Sequence, residues 1–339
     1  MIPFVLFLLV VLTINFKRPS GHLNLKPTHN NSVDSRADDP THIKKTVIMK
    51  KISIIALAFI ATAALFTSCN KDRITGVANV RIHVNDFTIS QDNITKSTSV
   101  ADYSGVKAIT LAFFKADGTE QYQVTQLRSD ASTYTTFGDF DCTLPMGSYT
   151  MVVLGYGLSN GEPPITLTSP TLATFGDNPA RETFVATQAV NITNANDAVD
   201  ISATLSRVIS KLKIATTDVR TENAQSVRVT FSAGGKAFNP STGLATTNTG
   251  LTNTVTIASA VGNTAGIISY LFLATDEQNV NVTIDVLDEN NVSLSHREVS
   301  NVPFKRNRMT ILTGSLFSAS GSGSFQVNTD WLEDYNMNF

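Results

Sequence analysis

Apolar and polar positions alternate with a period of two along most of the chain. In "VANVRIHV", Ala78, Val80, Ile82 and Val84 share one face and Asn79, Arg81 and His83 the other, which predicts a half-buried strand. The next stretch, "NDFTISQDNITKSTSVADYSG", is polar and turn-rich. "VKAITLAFFKADGTEQYQV" sets two apolar runs around Asp117-Gly118 and predicts a hairpin. "FDCTLPMGSYTMVVLGYG" predicts a strand, a turn at Pro145-Met146-Gly147 and a buried strand. "NGEPPITLTSPTL" reads as a loop, and "ETFVATQAVNIT" and "AVDISATLSRVISKLKIAT" as strands. A second series follows, "SVRVTFSA", "NTVTIAS", "ISYLFLAT", "VNVTIDVLDENNVSLSHREV" and "RMTILTGSLF", with DENN as a hairpin turn. No segment sustains a helical period. Short strands at roughly 8–12-residue spacing predict an all-β chain of β-sandwiches. The length allows two in tandem, 97–205 and 206–317, with the break near Leu205-Ser206.

Both ends depart from this pattern. "MKKISIIALAFIATAALFTSC" from Met49 has a basic start, an apolar run and small residues before Cys69, which predicts a secretory signal of the lipoprotein type over 49–68. The run Ile52–Phe66 is short for the ~20 residues a bilayer-spanning helix needs. Cys69 would then be lipidated and become the first mature residue. Residues 1–48 hold a second apolar stretch and no periodicity, so translation is expected to start at Met49, with an N-terminal membrane anchor as the alternative. At the other end, "SASGSGS" (318–324) has linker composition. "FQVNTDW" then resumes alternation, with Phe325, Val327, Thr329 and Trp331 on one face. This segment predicts either a strand returning to its own sheet or one built to pair with another chain.

Composition narrows the function classes. Of 339 residues 42% are apolar and 16% charged, and Thr, Ser, Asn and Val are frequent, as in a secreted all-β protein. Residues 1–68 hold 8 of the 26 Lys and Arg and 3 of the 28 Asp and Glu, so the remainder has 18 against 25, a net of −7. That leaves no basic field for nucleic acid. Two cysteines, Cys69 and Cys142, make no disulfide framework, and Cys142 reads as a buried, inert thiol.

Catalytic and metal chemistry lack an anchor, and no cofactor is implied. After the signal only His83 and His296 remain, each on an alternating strand and each expected to be exposed. There is no CxxC, HExxH or EF-hand loop. "GYGLSNG" (155–161) lacks phosphate-loop spacing and reads as a strand exit. Asp139 and Asp141 share a strand face and read as solvated edge charges, while Asp285, Asp288 and Glu289 could bind a cation weakly, yet a turn explains them without one. Glycan binding through sandwich loops would need exposed aromatic rings, for which Tyr134 and Tyr156 are the loop candidates.

Four segments, in order, carry a resemblance. They are "CNKD" after the lipoprotein signal with "VANVRIHV" and then a basic residue; "ATLSRVISKLKI", where an arginine precedes an apolar strand; "VPFKRNRMTILTGSLF" with its Arg-Asn pair; and "FQVNTDW" with its terminal Trp. Together they resemble the fimbrillins, the type V pilins of Bacteroides-type bacteria. The resemblance implies two transthyretin-like sandwiches of Ig-like Greek-key topology and export as an outer-membrane lipoprotein. It also implies protease removal of the first strand and filling of the vacated groove by a strand from the next subunit. By that resemblance Lys96 in "NITKST" occupies the cut position, where the best-known members have Arg. Segment 69–96 would be removed, Ala78, Val80, Ile82 and Val84 would be displaced, and Phe325, Val327, Thr329 and Trp331 would form the donor strand within 318–339. The implied partners are other fimbrial subunits, the outer membrane through the lipid, and a host or bacterial surface ligand. The implied place is the cell surface. The alternatives are a lipid-retaining anchor or accessory subunit and a surface glycan-binding lipoprotein.

Overall fold

The alternating segments form strands with one wet face, and the unbroken apolar runs form strands covered on both faces. The computed structural model describes residues 76–91, 94–196, 198–318 and 325–328, so the calls on residues 1–75, including Cys69, and on Thr329 and Trp331 lie outside the described residues. Among the described residues there is no α-helix, only a 3-10 turn at Ala131–Thr133.

The N-terminal half contributes β1 (Val77–Gln91), β2 (Ile94–Ser99), β3 (Ala108–Lys115), β4 (Glu120–Leu127), β5 (Asp139–Pro145), β6 (Gly147–Tyr156), β7 (Thr166–Ser169), β8 (Leu172–Thr174), β9 (Thr183–Ile192) and β10 (Ala198–Arg207). The C-terminal half contributes β11 (Ser210–Thr216), β12 (Ser226–Phe231), β13 (Ala237–Asn239), β14 (Leu244–Ala245), β15 (Leu251–Thr256), β16 (Gly266–Leu271), β17 (Glu277–Leu287), β18 (Ser293–Lys305), β19 (Met309–Gly314) and β20 (Gln326–Asn328). One large sheet runs β2-β1-β10-β9-β6-β3-β4, with β5 also on β1. Two four-stranded sheets, β16-β11-β19-β20 and β15-β12-β17-β18, form the C-terminal sandwich. A small sheet, β14-β13-β8-β7, draws strands from both halves.

Each sandwich closes on its own core. In the first, Ile82, Phe87, Phe140, Ile201 and Leu205 meet Ile109, Leu111, Phe113, Met151, Val153 and Phe184. In the second, Leu212, Ile214 and Leu312 meet Val227, Val229, Phe231, Ile284 and Phe304. A third core ties the halves together: Phe114, Leu154 and Tyr156 on the outer face of the large sheet pack with Phe175, Phe238 and Phe272. The Phe238 and Phe272 rings stack at 4.2 Å. This third layer is why "AITLAFF" has no wet face and is buried throughout β3.

The expected turns are present. Gly118 takes φ +81 in the β3–β4 hairpin, where the Asp117 carboxylate accepts the Thr119 N–H at 2.9 Å. In the β17–β18 hairpin Asp288 Oδ1 accepts the N–H groups of Asn290 and Val292.

Candidate functional site

Strand β1 is an interior strand although it lies near the start of the described chain. Its first half lies between β5, antiparallel from Val77 to His83, and β10, parallel from Asn79 onward. Ala78, Val80, Ile82 and Val84 all point into the first core, as the alternation predicts. The strand does not end there. A bulge at Asn85 shifts the register against β10 between Val84 and Asp86, and β1 then runs on to Gln91. The extra residue inverts parity, so Phe87 and Ile89 continue the buried face. Phe87 is the largest knob on the strand. Its ring lies 4.9 Å from that of Phe184 and 5.7 Å from that of Tyr103. It is seated over Gly155 of β6, where a Cβ would come within 2.7 Å of the ring.

The turn-rich reading of 85–105 is corrected in its first part. Residues 94–99 form β2, paired antiparallel with β1, and Lys96 faces Ile89 in that ladder, half-buried. Ser97, Thr98 and Ser99 are at most partly covered, so a polar composition does not exclude a strand here.

On the outward face of β1, the residues read as solvated are paired across the strands. Arg81 Nε donates to Asp141 Oδ1 at 3.2 Å, and His83 Nδ1 lies 3.0 Å from Asp139 Oδ1. Each pair sits directly opposite in the β1–β5 register.

The C-terminal segment returns to its own sheet. Strand β20 pairs antiparallel with β19, Val327 opposite Leu312. Phe325 packs on the second core over Gly314, where a Cβ would approach the ring to 2.8 Å. Val327 remains 43% exposed at the sheet edge. The chain leaves β19 through a turn held by Asp218, whose carboxylate accepts the N–H groups of Leu316, Phe317 and Ser318 and the hydroxyls of Ser315 and Ser318. Burial pushes this carboxyl up, but the bonds from Leu316, Ser315 and Ser318 outweigh it and bring the pKa to about 2.

Two of the segments that the sequence singles out separately meet at the junction of the halves. The buried Arg207 donates from Nε to Asn307 Oδ1 at 2.7 Å and from Nη1 to Glu182 Oε1 at 2.9 Å. Asn307 sits at φ +62, a conformation asparagine tolerates.

Four other expectations need correction or completion. Tyr156 is not on a loop; it is fully buried, with its hydroxyl 3.0 Å from Thr110 Oγ1. Asp285 is not a turn residue. It is buried in β17, between Arg228 at 3.1 Å and His296 at 2.7 Å. His296 is half-exposed but paired, and the Asp285 hydrogen bond raises its pKa. Cys142 is half-buried, and burial pushes its thiol up to about 11, so it is protonated at neutral pH. Among the described residues no cluster of His, Cys, Asp and Glu is placed to hold a metal ion.

Residues 71–338 match a family of unknown function, DUF6562, and the chain belongs to that family. Comparison with curated proteins found no match. Solved structures with a similar course of strands include a candidate adhesin from Bacteroides ovatus, 11% identical, with TM-score 0.45 over 80% of this chain and 100% of that one. Another is the fimbrial anchor protein Mfa2 from Porphyromonas gingivalis, 11% identical, with TM-score 0.43 over 75% of this chain and 98% of that one. A third is a fimbrial assembly protein from Parabacteroides distasonis, 14% identical, with TM-score 0.35 over 75% of this chain and 98% of that one.

Proposed function

We propose that this chain is a structural subunit of a cell-surface fimbria, exported as a lipoprotein through Cys69 and joined to its neighbours by strand exchange at the β1 seat. The observation that carries this reading is the placement of β1. A strand near the N-terminus, inserted between β5 and β10, supplies Ala78, Val80, Ile82, Val84, Phe87 and Ile89 to the first core. Removing it after Lys96 would open a groove with six apolar seats and two rows of unpaired backbone groups. Such a surface is costly in water. A donated strand would recover a gross term on the order of 10 kcal/mol from apolar burial alone, before ordering costs. The donor in this reading is the segment from Phe325 through Val327 and Thr329 to Trp331.

A second reading is favoured by two specific observations. Lys96 lies within β2 rather than in an open loop, and β20 is already paired with β19. Both suit a subunit that keeps its lipid and its first strand, anchoring or terminating a fibre.

The exposed edge position of Val327 makes the test clean. An aspartate at that exposed edge should leave the monomer folded, whereas in a filled groove it would be an unpaired buried charge. After cleavage at Lys96, wild type and Asn328→Asp should form detergent-resistant ladders and Val327→Asp should stay monomeric. Equal ladders from both variants would reject the donor role. Failure of trypsin to cut at Lys96 under native conditions would favour the lipid-retaining subunit.

A further inference from the structure

The first sandwich does not close completely. Among the described residues strand β4 pairs only with β3, and β5 only with β1, so two strands face each other across a seam. Gln126 stitches the seam at one end: its side-chain amide donates to Asp139 O at 2.6 Å and its carbonyl accepts the Gly138 N–H at 2.8 Å. Beside that stitch lies a groove of about 640 Å³. Its walls are Tyr122 from β4, Arg81 and His83 from β1, Asp139 and Asp141 from β5, and Tyr134 from the loop between β4 and β5.

We infer that this groove is a binding site for neutral oligosaccharides. The lining is rich in hydrogen-bonding groups that suit a polyol. Four threonines (125, 133, 135 and 136) join the carboxylates, imidazole, guanidinium and Gln126 amide. Within the groove Arg81 is paired with Asp141 and His83 with Asp139, so no unpaired guanidinium is left to select an anionic sugar. Each pair leaves capacity unused. Arg81 engages Asp141 through Nε, and His83 engages Asp139 through Nδ1, which leaves the Arg81 terminal nitrogens and His83 Nε2 for hydroxyls. Two phenol rings supply apolar surface for the C–H face of a pyranose.

The site is also held in shape before any ligand arrives. Tyr134 packs 5.6 Å from the Phe137 ring and its hydroxyl donates to Arg128 O at 3.4 Å. Arg128 in turn stacks 4.1 Å over Phe137 and donates to Val100 O and Val106 O. A rigid aromatic with its polar groups already placed loses little entropy on binding. An extended peptide would pair with the strand edges, but the groove's side chains offer few apolar pockets for its alternate residues.

The experiment is calorimetric titration of the intact chain, uncut at Lys96, so that it is independent of polymerisation. The probes are four neutral hexaoses (of glucose in α and β linkage, mannose and N-acetylglucosamine), a sulfated heparin hexasaccharide and the peptide FQVNTDWLEDYNMNF. At least one neutral hexaose should bind with Kd below about 1 mM. Asp141→Ala, a surface change, and Tyr134→Ala should each weaken it about tenfold, and Tyr134→Phe by less than about threefold. His296→Ala, in the other sandwich, should change nothing. Absence of binding by all four neutral sugars overturns the inference. So does binding that ignores Tyr134→Ala, or a groove that takes only the sulfated sugar or the peptide.

Discussion

Asp218 is one carboxylate with five donors, and its pH dependence follows from the sign of its shift. Its pKa is about 2 in the folded chain against an ordinary value of 3.8. Its contribution is therefore full above about pH 4 and is lost as the pH falls towards 2. After allowance for solvent screening it amounts to about 1–2 kcal/mol. Melting curves of wild type and Asp218→Asn should differ at pH 6 and converge near pH 2. The opposite sign applies at His296, whose pKa is raised by Asp285. That pair stabilises fully below about pH 6.5 and is lost as the pH rises through the raised folded value. Neither role was legible in the sequence. Asp218 lies 97 residues from Ser315, and Asp285 lies close to an obvious acidic turn that absorbs it. Long-range partners of a polar side chain leave no periodic trace.

The strands were legible where one face is wet, and β1 shows where that signal stops. Its alternation fails at Asn85 because a bulge there inverts parity, so the sequence marks Val84 as the end of a strand that continues to Gln91. Phe87 and Ile89 were lost from view for the same reason, and β2 because it is polar. The glycine under Phe87 offers a check. Gly155→Val should crowd the ring and destabilise the first sandwich by about 1–3 kcal/mol, read as a lower denaturant midpoint. At the other end, Gly314→Val should displace Phe325 and free β20. Hydrogen exchange at 326–328 should then rise strongly while the global midpoint moves little. A unchanged exchange pattern would mean that Phe325 does not hold the strand.

Across the whole molecule, the β-sandwich class could be read from turn spacing alone, whereas the tie between the halves could not. The third core and the small sheet join residues from both halves, and Arg207, Glu182 and Asn307 lock the junction. Arg207→Met should cost about 3–5 kcal/mol by stranding Glu182, and adding Glu182→Leu should recover much of it. Chemical denaturation of the three proteins checks this. Because Arg81 and His83 stand on β1, the saccharide groove and the strand seat share one element. A chain cut after Lys96 that has lost β1 should bind the neutral hexaose less tightly than the uncut chain.

Strand exchange at the β1 seat is tested most directly by the N-terminus of the chain in sheared surface fibres. Mass spectrometry of those subunits should find Ser97 as the first residue and no peptide from Val77–Gln91. Fibre subunits that still carry residues 69–96 would contradict it.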